Sequence, residues 1–237
     1  MKKNLLFGLV FSLAGSLLAA DSSPKDSVTS AATALGNEAN YSWHTTVENA
    51  GGGGRGGGPT DGKSEKGGYT WVSMARGGNT TVAVLKGTNG AISTPDNGWQ
   101  SLVELAAANA GGFNPAFQFQ NYKTPDQQAV TLANAAADLK AGDNGITGDL
   151  TADGAKGLLT FGRPPGGGGD GPTVANAKGS VTFWLTDGKL VKYQFHVTGT
   201  VSFGGNDRDI DRTTTVEIKD VGATKLDVPD DAKKKLE

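Results

Sequence analysis

The chain has 237 residues, a formal net charge of -2, and no cysteine. A near balance of Lys and Arg against Asp and Glu excludes a counterion-displacing nucleic-acid surface and a polybasic membrane-surface protein. The lack of thiols excludes a disulfide framework and a cysteine nucleophile, so stability has to come from a buried core.

Residues 1–20 read as a secretory signal peptide. Lys2 and Lys3 form a positive start, Leu5 to Leu18 is an apolar run, and Ala19-Ala20 offers small residues before Asp21. The run is shorter than the ~20 residues a bilayer core demands. Cleavage and export to the periplasm or the exterior are therefore expected, with no stable membrane insertion of the product. No cysteine follows that could carry a lipid, and residues 21–237 are expected to form one domain.

Ser23 is placed to cap a helix that starts at Pro24, with Val28, Ala31, Ala32 and Leu35 on one face and Gly36 at its end. Tyr41 to Glu48 alternates as a strand, with Tyr41, Trp43, Thr45 and Val47 on one side. Residues 51–58, GGGGRGGG, read as a loop, because glycine loses most backbone entropy on ordering and brings no side chain to bury. Gly68 to Arg76 and Thr80 to Lys86 follow as strands, and a further strand runs from Ala91 through Thr94 to Trp99, across the Asp96-Asn97-Gly98 turn. The stretch Tyr69-Thr70-Trp71-Val72-Ser73-Met74 carries large apolar groups on both faces, as in a strand buried on two sides or lining a cavity.

Leu102 to Ala108 reads as a short helix. Gly111 to Tyr122 carries Phe113, Phe117, Phe119 and Tyr122 on a breaker-rich backbone, expected to pack beneath the next helix. Thr124-Pro125-Asp126-Gln127 has the pattern of a capping box. Ala129, Leu132, Ala136 and Leu139 continue that helix as a narrow stripe, ending near Lys140 and Gly142. Ile146 to Leu150 is a strand, and Thr151 caps a brief helix to about Leu159. Residues 164–172, PPGGGGDGP, form a second glycine-rich insert. Arg212 to Val221 and Thr224 to Val228 read as closing strands, and Pro229 opens a last helical turn.

Ser180 to Val201 reads as a hairpin around Thr186-Asp187-Gly188. A three-residue turn would set Phe183 against Val191 and Val181 against Tyr193. Val181, Phe183, Leu185, Val191, Tyr193, Phe195, Val197 and Val201 then share one apolar face.

Motifs for chemistry are sparse. His44 and His196 fall on polar faces without metal-ligand spacing, so they read as surface residues and no zinc site is expected. Asp207-Arg208-Asp209-Ile210-Asp211 lacks the glycine and the twelfth-position acid of a calcium loop, since Arg212 and Ile218 stand there. It reads as a salt-bridged turn in which Arg208 and Arg212 neutralise the aspartates. Asp143, Asp149 and Asp153 carry no mark of an acid–base pair. No catalytic residue, metal or cofactor is assigned.

The segment VTFWLTDGKLVKYQFHVTGTV, followed by TTTVEIKDVGATKLDVPDDAKKKL, resembles the C-terminal half of secreted proteins of the lipoprotein-carrier and lipoprotein-sorting superfamily. The match spans Ser180 to Leu236. It implies an α+β fold, a curved antiparallel β-sheet (half-barrel) with helices packed on the concave side. It transfers no lipid-contact residue. Three functions are open on this basis. The first is a binding module holding an acyl chain, lipid or other apolar ligand against Trp43, Tyr69, Trp71, Val181, Phe183, Leu185, Tyr193 and Phe195. The second is an envelope interaction protein with a filled core, and the third a hydrolase built on scattered carboxylates.

Overall fold

The computed structural model describes residues 22–50, 60–76, 79–94, 97–108, 116–160 and 172–237. The signal-peptide reading, the glycine-rich stretch at 51–58 and all but the last residue of that at 164–172 lie outside these, as does Phe113.

Eleven antiparallel strands form one open sheet with the order β6-β5-β4-β3-β2-β1-β11-β10-β9-β8-β7. They are Asn40–Asn49 (β1), Thr60–Glu65 (β2), Thr70–Arg76 (β3), Asn79–Lys86 (β4), Asn89–Thr94 (β5), Gly98–Ser101 (β6), Lys140–Gly142 (β7), Gly145–Asp149 (β8), Thr173–Thr186 (β9), Lys189–Phe203 (β10) and Asn206–Lys219 (β11). Every neighbour is sequential except one. The first and last strands, β1 and β11, pair with Trp43 opposite Ile218 and Thr45 opposite Val216, joining two meanders at the centre. The result is the expected half-barrel, open at β6 and β7.

Six helices are found among the described residues: Pro24–Asn37 (α1), Leu102–Ala108 (α2), Ala116–Gln120 (α3), Pro125–Ala135 (α4), Ala152–Leu159 (α5) and Asp230–Lys234 (α6). Helices α1 and α5 rest on β9 and β10, α4 packs on α1, and α2 and α3 adjoin β5. All five contribute to one core with Val72, Ile92, Phe183 and Tyr193. Helix α6 is the exception and packs on the other face, where Val228, Ala232 and Leu236 meet Val84 and Ala91.

The Ser180–Val201 hairpin differs from expectation at its turn. Asp187 and Gly188 both have positive φ, so the turn takes two residues and Lys189 pairs with Thr186. This geometry follows the natural twist of the flanking strands. A bulge at Val191 then restores parity, and Tyr193 rather than Val191 faces Phe183. Leu190 takes the buried place and Val191 turns out, 37% exposed. A second irregularity between Thr198 and Thr200 accommodates Asn176 at φ 57. Bulges bend strands, and two within this long pair help the sheet curve.

Other departures also arise from pairing. Strand β2 is not expected from its polar sequence, and Trp43 opposite Gly62 explains its place. Gly98 has a positive φ at the expected Asp96-Asn97-Gly98 turn, and the chain forms two paired strands, β5 and β6, rather than one running across it. Helix α4 ends at Ala135, because Ala136 turns extended and bridges Leu150, and Lys140–Gly142 becomes a strand. Thr124 stands at the cap but makes no side-chain cap bond, whereas Ser23 and Thr151 accept from Asp26 and Gly154 as expected. Residues 207–211 lie inside β11, not in a turn, and 224–228 do not form a strand.

Candidate functional site

Alternation along β1, β9, β10 and β11 puts a band of large side chains beneath the helices. Trp43, Val181, Phe183, Tyr193, Phe195, Val197 and Val216 are all at most 5% exposed. The Phe183 and Tyr193 rings lie 6.2 Å apart, and Tyr41 and Trp43 lie 5.6 Å apart. The helices meet this floor largely through small residues: Ala31 and Ala32 of α1, Ala129 and Ala133 of α4, and Ala155 of α5. Alanine lets a helix approach the sheet closely and buries little area per contact.

Polar tips are held inside this band. The Tyr41 hydroxyl donates to Asp126 Oδ1 at 2.6 Å, and the Tyr193 hydroxyl donates to Gln128 Oε1 at 2.7 Å. Both acceptors sit on the first turns of α4, so two strand tyrosines fix that helix to the sheet. The Tyr122 hydroxyl lies near the Trp43 indole beside them. Burial raises the pKa of all three phenols above the ordinary value, with Asp126 adding to the effect at Tyr41. Gly36 faces Asp126, where a Cβ would stand 2.5 Å from Oδ2. That glycine serves helix contact rather than helix termination.

Toward one end of β1 and β11 the band changes character. Thr45, Val47 and Asn49 are half-buried, as are Thr60 of β2 and Met74 of β3. Among the described residues, helix-to-sheet packing falls mainly on β9–β10 and β5–β6, away from this central lip. Thr214 and Arg212 extend the same face of β11 beyond Val216. Arg212 Nη2 donates to the Leu158 carbonyl at 2.9 Å, while its buried Nε has no partner. Burial lowers the guanidinium pKa. Arg212 therefore does not serve the aspartates as its sequence neighbourhood suggests.

The eight expected lining residues divide between two faces. Trp43, Val181, Phe183, Tyr193 and Phe195 come together beneath the helices, with Leu185 half-buried against them. Tyr69 and Trp71 sit on the opposite face with Trp99, Val228 and Leu236. The two-sided reading of β3 holds, since Val72 enters the helix-covered core. Phe119 also joins that core, 3% exposed, and Tyr122 packs against it.

On the face away from α1 and α4, polar residues satisfy one another. His44 Nδ1 lies 2.6 Å from Asp61 Oδ1, and His196 Nε2 lies 2.8 Å from Asp211 Oδ1. Gln194 donates to Thr215, Thr200 donates to Asp209, and Lys192 lies 4.7 Å over the Trp184 ring. The sequence places both histidines on this polar side but gives no sign of their aspartate partners. Cross-strand register decides those. The described residues hold no group of three or more metal-ligating side chains. Tyr193 and Tyr41 also gain roles that hydropathy alone does not assign. Arg212 is legible in retrospect, because Arg212, Thr214, Val216 and Ile218 alternate onto one face.

No protein-family model matches this chain, and comparison with curated proteins gives no match. Comparison with solved structures gives matches over most of the chain at low identity. Lipoprotein LppX of Mycobacterium tuberculosis superposes with a TM-score of 0.45 and 11% identity, over 87% of this chain and 98% of that one. LprF from Mycobacterium bovis gives 0.45 and 12%, over 88% and 97%. A DUF1329 family protein from Desulfovibrio piger gives 0.32 and 7%, over 88% and 96%. Scores of this size describe a shared outline, so the role of each residue rests on this chain's own geometry.

Proposed function

We propose that this chain is an exported, non-enzymatic protein that binds an apolar ligand, an acyl chain or lipid, between the sheet and its helices. The carrying observation is the graded helix-covered face. It runs from the aromatic floor of Trp43, Tyr193 and Phe195 to the half-buried lip of Thr45, Val47, Thr60 and Met74. An acyl chain entering at that lip would gain ~0.8 kcal/mol for each methylene it buries. The alanine contacts of α4 and α5 limit the area lost if those helices shift to admit it. Trp43, Val181, Phe183, Leu185, Tyr193 and Phe195 are the proposed ligand wall. Tyr69 and Trp71 have a separate task beneath α6.

Export is read from the signal-peptide pattern of residues 1–20, and the mature product is read as free of a lipid anchor because the chain has no cysteine. The non-enzymatic reading is supported by the use of the polar groups. Two buried tyrosine hydroxyls are engaged by α4, and both histidines are paired on the far face. Those two pairs do not converge. His44 stands opposite Glu217 and His196 opposite Thr213, four residues apart on β11, or about 13 Å at ~3.3 Å per residue.

A filled core is the second reading. It is favoured by the burial of Phe183, Tyr193 and Leu132, since fully buried side chains are what a close-packed interior also shows. Calorimetric titration of the mature, delipidated protein with palmitate below its micelle concentration separates the two. Saturable one-site binding with a negative heat-capacity change is expected of the carrier. No heat and no change in thermal midpoint would leave the filled core.

A further inference from the structure

Arg212 is a cation on the helix-covered face of the sheet with a buried donor left over. It projects from β11 onto the helix-covered face, opposite Val197 of β10 and Asn49 of β1. Its Nη2 meets one neutral carbonyl at the end of α5, and its Nε is buried without a partner. Among the described residues Arg212 forms no ion pair. Removing a guanidinium from water is costly unless an anion or several acceptors replace the hydration. Capping the last turn of α5 accounts for one N–H, and a guanidinium has five.

The surroundings fit a ligand's head better than a structural anchor. Thr214 is two residues away on the same face, Asn49 is its cross-strand neighbour, and the half-buried lip of β1 lies beside them. Beyond Thr214 the same alternation passes to Val216 and then Ile218. From Arg212 to Ile218 is six residues, about 20 Å at ~3.3 Å per residue. One face of one strand thus runs from a cation with spare donors to the aromatic floor.

We propose that Arg212 binds the anionic head group, carboxylate or phosphate, of an amphipathic ligand whose tail lies along β11 toward Trp43 and Tyr193. Guanidinium Nε–H and Nη–H donors suit such oxygens in a two-point contact. This inference rests on the apolar-ligand reading above and adds the polarity and direction of the ligand.

The test compares three probes of equal chain length, palmitate, hexadecyl phosphate and hexadecanol, on the wild type, Arg212→Gln and Arg212→Lys. The wild type should bind at least one anionic probe more tightly than the alcohol by roughly tenfold, as a charged hydrogen bond warrants. Preference for palmitate assigns a carboxylate, and preference for the phosphate assigns a phosphate. Arg212→Gln should lose the preference for the anionic probe over hexadecanol, and Arg212→Lys should keep part of it. Equal binding of all three probes by the wild type overturns the head-group site and leaves the apolar reading standing. A preference that survives in Arg212→Gln also overturns it. Binding of none of the probes removes the apolar reading and this inference together. Should Arg212→Gln unfold, the wild-type comparison and Arg212→Lys still decide.

Discussion

At the scale of single residues, the sheet depends on positions where one atom more does not fit. Trp43 lies so close to Gly62 that a Cβ there would overlap the indole. Trp43 is 3% exposed and has no free space to retreat into. Gly62→Ala should therefore cost about 1–3 kcal/mol by forced repacking, read as a lower urea midpoint, and an unchanged midpoint would contradict the contact. The buried phenols give a pH signature. Tyr41, Tyr122 and Tyr193 have folded pKa values raised above the ordinary 10 by burial. The folded state then holds its phenol protons longer than the unfolded chain does. Stability should be level below pH 10 and fall progressively above it, and Tyr193→Phe should make that fall shallower in a thermal-midpoint series from pH 8 upward. The burial of Tyr41 and Trp43 was legible from alternation in the sequence. Their partners were not, because Gly62, Asp126 and Tyr122 come from distant segments that only the assembled sheet brings near.

At the scale of elements, the signals that survived folding were local and strong. Helix α1, helix α2 and the Thr151-capped α5 lie where their caps and apolar spacing put them. Helix α4 fell short at its C-terminal end, since a weak alanine stripe could not outcompete the bridge from Ala136 to Leu150. Turn chemistry mattered as much. Asp187-Gly188 favours a two-residue turn, and the Val191 bulge hides the resulting offset from a reading based on strict alternation. The C-terminal segment forms the helical turn expected after Pro229, but on the face opposite the other helices. Val228, Ala232 and Leu236 cover Tyr69, Trp71 and Trp99. Lys235 Nζ bonds Glu104 Oε1 at 2.7 Å, and Asn89 Nδ2 donates to the Leu236 carbonyl at 3.2 Å. Removing residues 228–237 should bare two tryptophans, shift their emission to the red and cost about 3 kcal/mol in lost apolar burial. Unchanged emission and midpoint would contradict this docking. The Lys235 hydrogen bond, helped by Ser101, lowers the Glu104 pKa to about 2. This contribution is complete above the ordinary carboxylate value and is lost as pH falls through about 2, so the helix should loosen only in strong acid.

At the scale of the whole molecule, two meanders closed by pairing of the first and last strands make a broad sheet in a chain that has no cysteine to staple it. The half-barrel was legible from the resemblance of Ser180–Leu236, whereas the hairpin register expected from strict alternation was not the one found. The division of aromatic residues between its two faces was not, because Tyr69 and Trp71 share a strand with Val72 and no local signal says which side the helices will choose. That division narrows the candidate ligand wall to the helix-covered face, with its lip along β1 and β11. The most direct measurement is native mass spectrometry of the mature protein purified from its own cell envelope under mild conditions. A bound species of a few hundred daltons, released on denaturation and absent after delipidation, is the expected result. A clean protein mass, together with no gain in thermal midpoint on adding fatty acids, would contradict an apolar-ligand carrier.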